Sequence, residues 1–194
     1  MTVVNSNYVF FMADACINGQ ISDGGVLGNT AFGKTLIHKL LKIPKPGTLP
    51  NSEKKLPFVF VGDDAFALTE YFMKPYGQTG LTAEQRIFNY RLSRARRVVE
   101  NSFGILVSRF GVIQRPIALS PPKAQTIVLT CCYLHNYLLK NQAQTYISKC
   151  SVDTEDFESG IITDGTWRTS GQSITLQTSH LRNSPASAKA VRDS

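Results

Sequence analysis

Between Thr82 and Phe110 the large apolar residues recur at Phe88, Leu92, Ala95, Val99, Phe103, Leu106 and Phe110. Steps of four and three trace one face of an α-helix, and a helix this long needs another element to cover that face. Thr82 followed by Gln85 three residues on makes a capping box at its start, and Gly111 suits its end. The opposite, polar side carries Arg86, Ser93, Arg96, Arg97 and one acid, Glu100. Residues 86–115 hold seven arginines against that single glutamate, so the basic excess of the chain is concentrated in one stripe. A solvated helix face usually mixes both signs, whereas an arginine stripe suits bidentate contact with phosphates. Arg91, Arg94, Arg96 and Arg97 are therefore candidate DNA-binding residues, and DNA the candidate partner.

The cover is predicted to be a sheet. Pro57-Phe58-Val59-Phe60-Val61-Gly62-Asp63 is a continuous apolar run ending in Gly-Asp, which predicts a strand buried on both faces. Its terminal acid would emerge at the carboxyl end of the sheet, where open α/β sheets place their ligands. Strand 8–13 is expected beside it in the same sheet, with helix 82–110 packed across both. Asp63 at a strand tip and Glu100 on a basic helix have the chemistry to hold a divalent metal beside a phosphate. Hard carboxylate oxygens select Mg²⁺ or Mn²⁺, the ions that two-metal phosphodiester cleavage uses. Spacing alone leaves simpler readings open: Asp63 capping a turn, and Glu100 pairing with Arg96 at i, i+4.

The remaining chain is read around that pair. Length allows one domain of ordinary size plus a tail. No apolar run is long enough to span a membrane, and Met1–Asn5 lacks the features of a secretory signal. Cys16, Cys131, Cys132 and Cys150 show no metal-binding spacing and read as reduced thiols. Asn29–Leu41 reads as a helix with Phe32, Leu36 and Leu40 on one side, and Ala65–Met73 as a short helix. Val112–Ile117 reads as an extended piece. Ser120-Pro121-Pro122 opens another helix with a core stripe of Ile127, Cys131, Leu134 and Leu138. His135 lies in that helix with no second ligand at metal spacing, so it reads as a hydrogen-bonded structural histidine. From Gln142 the periodicity fades. The domain is set at residues 1–141, and residues 142–194 are expected to be a polar, mostly disordered tail in which Trp167 docks locally.

One motif competes for a function. Gly28-Asn-Thr-Ala-Phe-Gly33-Lys34-Thr35 fits G-x-x-x-x-G-K-[ST], a phosphate-binding P-loop. A P-loop leaves a buried strand directly, and no apolar run precedes this one. Phe32 also falls in helical register with Leu36 and Leu40, so residues 29–33 read as helix rather than loop.

Leu56-Pro-Phe-Val-Phe-Val-Gly-Asp-Asp-Ala-Phe66, followed by Arg86-Ile-Phe-Asn-Tyr-Arg-Leu-Ser-Arg-Ala-Arg-Arg-Val-Val-Glu-Asn-Ser-Phe-Gly-Ile-Leu106, resembles the PIF/Harbinger transposase family and its nuclease relatives. Leu134-His135-Asn136, the Ser22-Asp23-Gly24-Gly25 loop and Asp164-Gly165-Thr166-Trp167-Arg168 are similar to that family as well. The resemblance implies an α/β, ribonuclease H-like DDE nuclease fold that cuts and joins DNA with Mg²⁺ or Mn²⁺. It implies that Asp63 is the second catalytic aspartate and Glu100 the catalytic glutamate, both as metal ligands. It implies also a nuclear location and a separate DNA-binding partner protein. Asp23 matches a recurrent residue to which the resemblance attaches no role. The first catalytic aspartate of the family lies on a strand upstream of the hairpin at residues 1–13. The expectation is thus a truncated domain, weak or inactive in cleavage, with a non-catalytic DNA- or protein-binding module as the alternative.

Overall fold

A computed structural model of the protein describes residues 1–15, 27–77, 79–156 and 159–170. Cys16, the Ser22–Gly25 loop with Asp23, and the tail beyond residue 170 lie outside the described residues. The architecture is mixed α/β, with short two-stranded sheets and long helices. The chain divides into two compact units, one built from residues 1–17 and 97–176, the other from 18–96 and 177–194.

In the first unit, β1 (Thr2–Val4) and β2 (Phe10–Ala13) form an antiparallel hairpin with a bulge between Val3 and Val4. The Asn5 side-chain oxygen accepts from the backbone of Asn7 and Val9, and Tyr8 takes a left-handed φ of 64° in the turn. The hairpin is tied to α3 (Pro121–Tyr146) through Asn136. Its amide accepts from Phe10 N–H and donates to Phe10 C=O, both at 2.9 Å, occupying Phe10 as a neighbouring strand would. Beside it His135, fully buried, contacts the Tyr8 carbonyl through Nε2 at 2.9 Å and the Tyr146 hydroxyl through Nδ1 at 2.8 Å. The structural reading of His135 holds. Phe10 packs with Leu106, Cys131 and Cys132, and its ring meets Phe103 and His135 edge to face.

Three expectations change here. The buried stripe of α3 runs through Cys131, Cys132 and His135, whereas Leu134 is 45% exposed, because Asn136 and His135 turn that side toward the hairpin. The boundary expected at residue 142 falls inside α3, at a kink where Gln142 has φ −142° and ψ 38°. Residues 112–117 begin as a 3-10 turn, Gly111–Ile113, rather than an extended piece.

The second unit contains α1 (Ala31–Ile37), capped by Thr30, and two short pairs. These are antiparallel β3 (Gly47–Thr48) with β4 (Lys55–Leu56), and parallel β5 (Phe60–Val61) with β6 (Phe72–Met73). Phe32 and Leu36 are buried, while Leu40 lies beyond the helix end and is 69% exposed. The expected single sheet is not what the described residues form: β2 pairs with β1, and β5 with β6. Nor is strand 57–63 buried on both faces. Only two of its residues find a ladder partner, and Phe58 stays 53% exposed. That partner, β6, replaces the short helix expected over residues 65–73, since Thr69 bridges back to Phe72.

The long helix α2 (Ala83–Arg109) starts at the predicted box, with Thr82 N–H donating to Gln85 and Gln85 N–H to the Thr82 hydroxyl. In the second unit Leu92 packs with Leu68 and Met73, flanked by Val59 and Phe88. Burying each such side chain stabilises by about 1.5–3 kcal/mol. Ala95, expected in the stripe, is exposed.

Candidate active site and nucleic-acid interface

Asp63 lies two residues past the carboxyl end of β5. Its Oδ1 accepts from Ala65 N–H at 3.1 Å, so the acid does cap a turn, and its Oδ2 stands 3.9 Å from the Arg96 guanidinium. Arg96 is thereby turned toward Asp63. Lys74, only 4% exposed, donates to the Asp64 carbonyl at 3.1 Å and pins the same turn from below the surface. Nothing in the residue pattern singles out Lys74, since burial of one lysine among apolar neighbours leaves no periodic signal.

Glu100 is exposed on α2, and the residues around it are occupied. Arg97 forms a 2.9 Å ion pair with Glu155. Asn101, 2% exposed, accepts at its Oδ1 from the backbone N–H of Asp153 at 3.1 Å and from the Trp167 indole N–H at 2.9 Å. Gly104 lies against the Trp167 ring so closely that a Cβ there would sit 2.1 Å from it. Arg168 forks onto the buried Asp153 carboxylate, with Nε at 3.0 Å and Nη2 at 2.6 Å, and its guanidinium lies 4.4 Å from the Trp167 ring centre.

Burial pushes the Asp153 carboxyl up, but hydrogen bonds from Arg168 and Gly165 N–H, with the charges of Arg168 and Arg97, outweigh it and leave it below the usual carboxylate range. Arg168 is held protonated first by its hydrogen bond to Asp153. The charges of Asp153, Asp164 and Glu100 add to this. Part of the segment expected to be tail is therefore docked on α2, through Asp153, Glu155 and Trp167. Its polar composition conceals this because the dock is made by hydrogen bonds and ion pairs rather than by an apolar stripe. The only tryptophan of the chain, beside Gly165, is the signal that marks it.

The arginines divide by partner. Arg96 faces Asp63, and Arg97 is engaged by Glu155. Arg91 is exposed, and Arg94 lies over the ring of the half-exposed Tyr90 at 5.6 Å. The Gly28–Thr35 motif forms no phosphate loop. Thr30 caps α1 by accepting from Gly33 N–H, and Gly33 lies inside the helix, where a Cβ would meet the Leu27 carbonyl at 1.6 Å.

Glu100 is exposed and Asp63 partly so, and carboxylate oxygens are the donors that Mg²⁺ and Mn²⁺ take. By donor type each carboxylate suits such an ion. Among the described residues no three His, Cys, Asp or Glu side chains gather at one place.

The model of the DDE superfamily endonuclease family matches residues 1–136. The chain belongs to that family. It is 30% identical over 148 residues to the ALP1-like protein of Arabidopsis thaliana, covering 74% of this chain and 35% of that protein. It is 33% identical over 91 residues to HARBI1 of Homo sapiens and of Bos taurus, proteins provisionally named as nucleases. There the match covers 45% of this chain and 26% of the relative. The chain thus spans about a third or less of the length of these relatives. No solved structure matches it. The matched span contains Asp63, the arginine helix and the Leu134-His135-Asn136 run. Within the matched span His135 and Asn136 hold the hairpin.

Proposed function

We propose that this chain is a transposase-derived endonuclease domain of ribonuclease H-like fold that engages DNA in the nucleus, with Asp63 and Glu100 as its catalytic, metal-binding acids. The observation that carries the reading is the family match over residues 1–136, which contains both acids. The Asx turn at Asp63 supports it, because the turn leaves the second carboxylate oxygen directed at a cation, Arg96. A bound divalent ion would activate water or a hydroxyl for phosphodiester cleavage. The residues of the chain bind and orient: Arg91 and Arg94 contact backbone phosphates, and Arg96 neutralises Asp63 until a metal replaces it. Arg97 serves the fold first. As in the family, a separate DNA-binding protein would add target choice.

A second reading, a DNA-binding module without cleavage, draws on the absence of a third acidic ligand among the described residues. Cleavage by this chain alone is accordingly expected to be slow or absent. One experiment separates the readings. Mn²⁺ should raise the melting temperature, and Asp63→Asn or Glu100→Gln should abolish that rise while leaving DNA binding intact. A melting temperature indifferent to Mn²⁺, with DNA binding retained, leaves the module without cleavage as the better account. Nicking of supercoiled plasmid that needs Asp63 would establish activity outright.

A further inference from the structure

Three positions on one side of α2 are given over to receiving the segment that follows α3. Arg97, Asn101 and Gly104 recur at steps of four and three, and Glu100 stands on the rim of that stripe, one turn from both Arg97 and Gly104. Two of these residues are poor choices for a helix interior. Glycine there costs about 1 kcal/mol against alanine. A buried asparagine needs its amide satisfied. Each finds its reason in Trp167, whose ring fills the space over Gly104 and whose N–H reaches Asn101. The third, Arg97, is met by Glu155. Gly165 completes the fit: its N–H donates to Asp153 at 2.8 Å, and a Cβ there would lie 2.6 Å from the Ser151 carbonyl.

Why a polar dock, when apolar packing would stabilise as well? Buried ion pairs contribute little net stability, and they demand definite geometry. The Asp153–Arg168 fork sets the guanidinium against the Trp167 ring. We propose that residues 148–156 and 162–168 form a positioning clamp for Glu100, in which Trp167 fixes its helical turn through Asn101 and the Asp153–Arg168 fork holds Trp167 in place. The clamp lies outside the span matched by the family model, which ends at residue 136. The proposal rests on the reading of Glu100 as a metal ligand.

The test uses the full chain with Trp167→Phe, which keeps an aromatic ring and loses only the N–H donor, and Arg168→Lys, which keeps charge and loses the fork. Two quantities are measured: hydrogen exchange of amides 97–108 without metal, and the Mn²⁺ concentration that half-completes the thermal shift. Both variants should fold, exchange faster over 97–108 and require about tenfold more Mn²⁺, the penalty typical of removing a group that orients a metal ligand. Unchanged exchange in both variants would show that the clamp does not hold the turn and overturn the proposal. Faster exchange with unchanged Mn²⁺ demand would reduce the segment to a structural support, and overturn it equally. A wild-type protein indifferent to Mn²⁺ is a different failure. It removes the metal reading of Glu100 itself, and the clamp as a device for that acid falls with it, whatever the variants do.

Discussion

Arg97 and Glu155 form a 2.9 Å ion pair in which the glutamate side chain is 3% exposed and the arginine 17%. An arginine within the basic stripe of the sequence is thus engaged inside the molecule. Removing one partner of so buried a pair leaves the other uncompensated, at a cost of about 3–5 kcal/mol. Arg97→Ala should therefore lower stability in urea unfolding by that order, and the double change Arg97→Met, Glu155→Met should recover much of it.

Arg91 and Arg94 should behave in the opposite way. Substitution of the exposed Arg91 by alanine is expected to leave unfolding within about 0.5 kcal/mol of wild type, as surface changes usually do. DNA affinity should fall, and the slope of log K against log salt should become shallower by about one for each arginine–phosphate pairing removed. An unchanged salt slope in the double variant would exclude this face as the phosphate surface.

Acid should destabilise the first unit in two stages. Burial holds the His135 imidazole below its ordinary value of 6.5, with the Tyr8 hydrogen bond opposing the shift, so the native state keeps it neutral while the unfolded chain takes up a proton. Stability is therefore full above that value and declines as pH falls below it. Asp153, depressed in the native state, adds a second loss at lower pH, starting as the unfolded carboxylate titrates and continuing through the folded value. Urea unfolding from pH 8 to pH 3 should show both, and Asp153→Asn should remove the second stage.

Phe103 offers a smaller test of packing. Its ring touches Phe10 at 5.5 Å but remains 37% exposed, so Phe103→Ala should cost less than the about 3–5 kcal/mol of a fully buried phenylalanine. A loss above that range would mean a more enclosed ring.

Lys34→Ala should change neither stability nor nucleotide affinity, because Lys34 lies exposed on a regular helix. ATP binding that this substitution abolished would contradict the helix.

What could be read from the sequence was periodic or locally capped. The 82–110 helix, its Thr82–Gln85 box, the helical state of Gly33 and the structural role of His135 all follow from spacing and neighbouring residues. The strand at 57–63 was legible as extended chain but not as a pair of ladder residues, because apolar character does not count available partners. The clamp was hidden for a related reason. Asn101, Asp153 and Arg168 act through directional bonds between residues distant in sequence, and such bonds leave no repeat. Of the proposed site, the acid after a strand and the acid on a basic helix were visible. Which arginine would face Asp63, and which would be bound within the fold, depended on geometry alone.

Asn136 standing in for a strand beside Phe10 also has a consequence for the order of assembly. The hairpin at the start of the chain cannot complete its bonding until a helix begun at Pro121 has formed. During synthesis, β1 and β2 leave the ribosome long before the residues that secure them. They must wait, with Phe10 unpartnered, while residues 18–96, which belong to the other unit, emerge. Late closure over so long an interval is slow, and it leaves exposed strand edges open to capture by other chains. A nascent chain arrested just after residue 136 would hold Asn136 inside the exit tunnel, and the hairpin would still be loose.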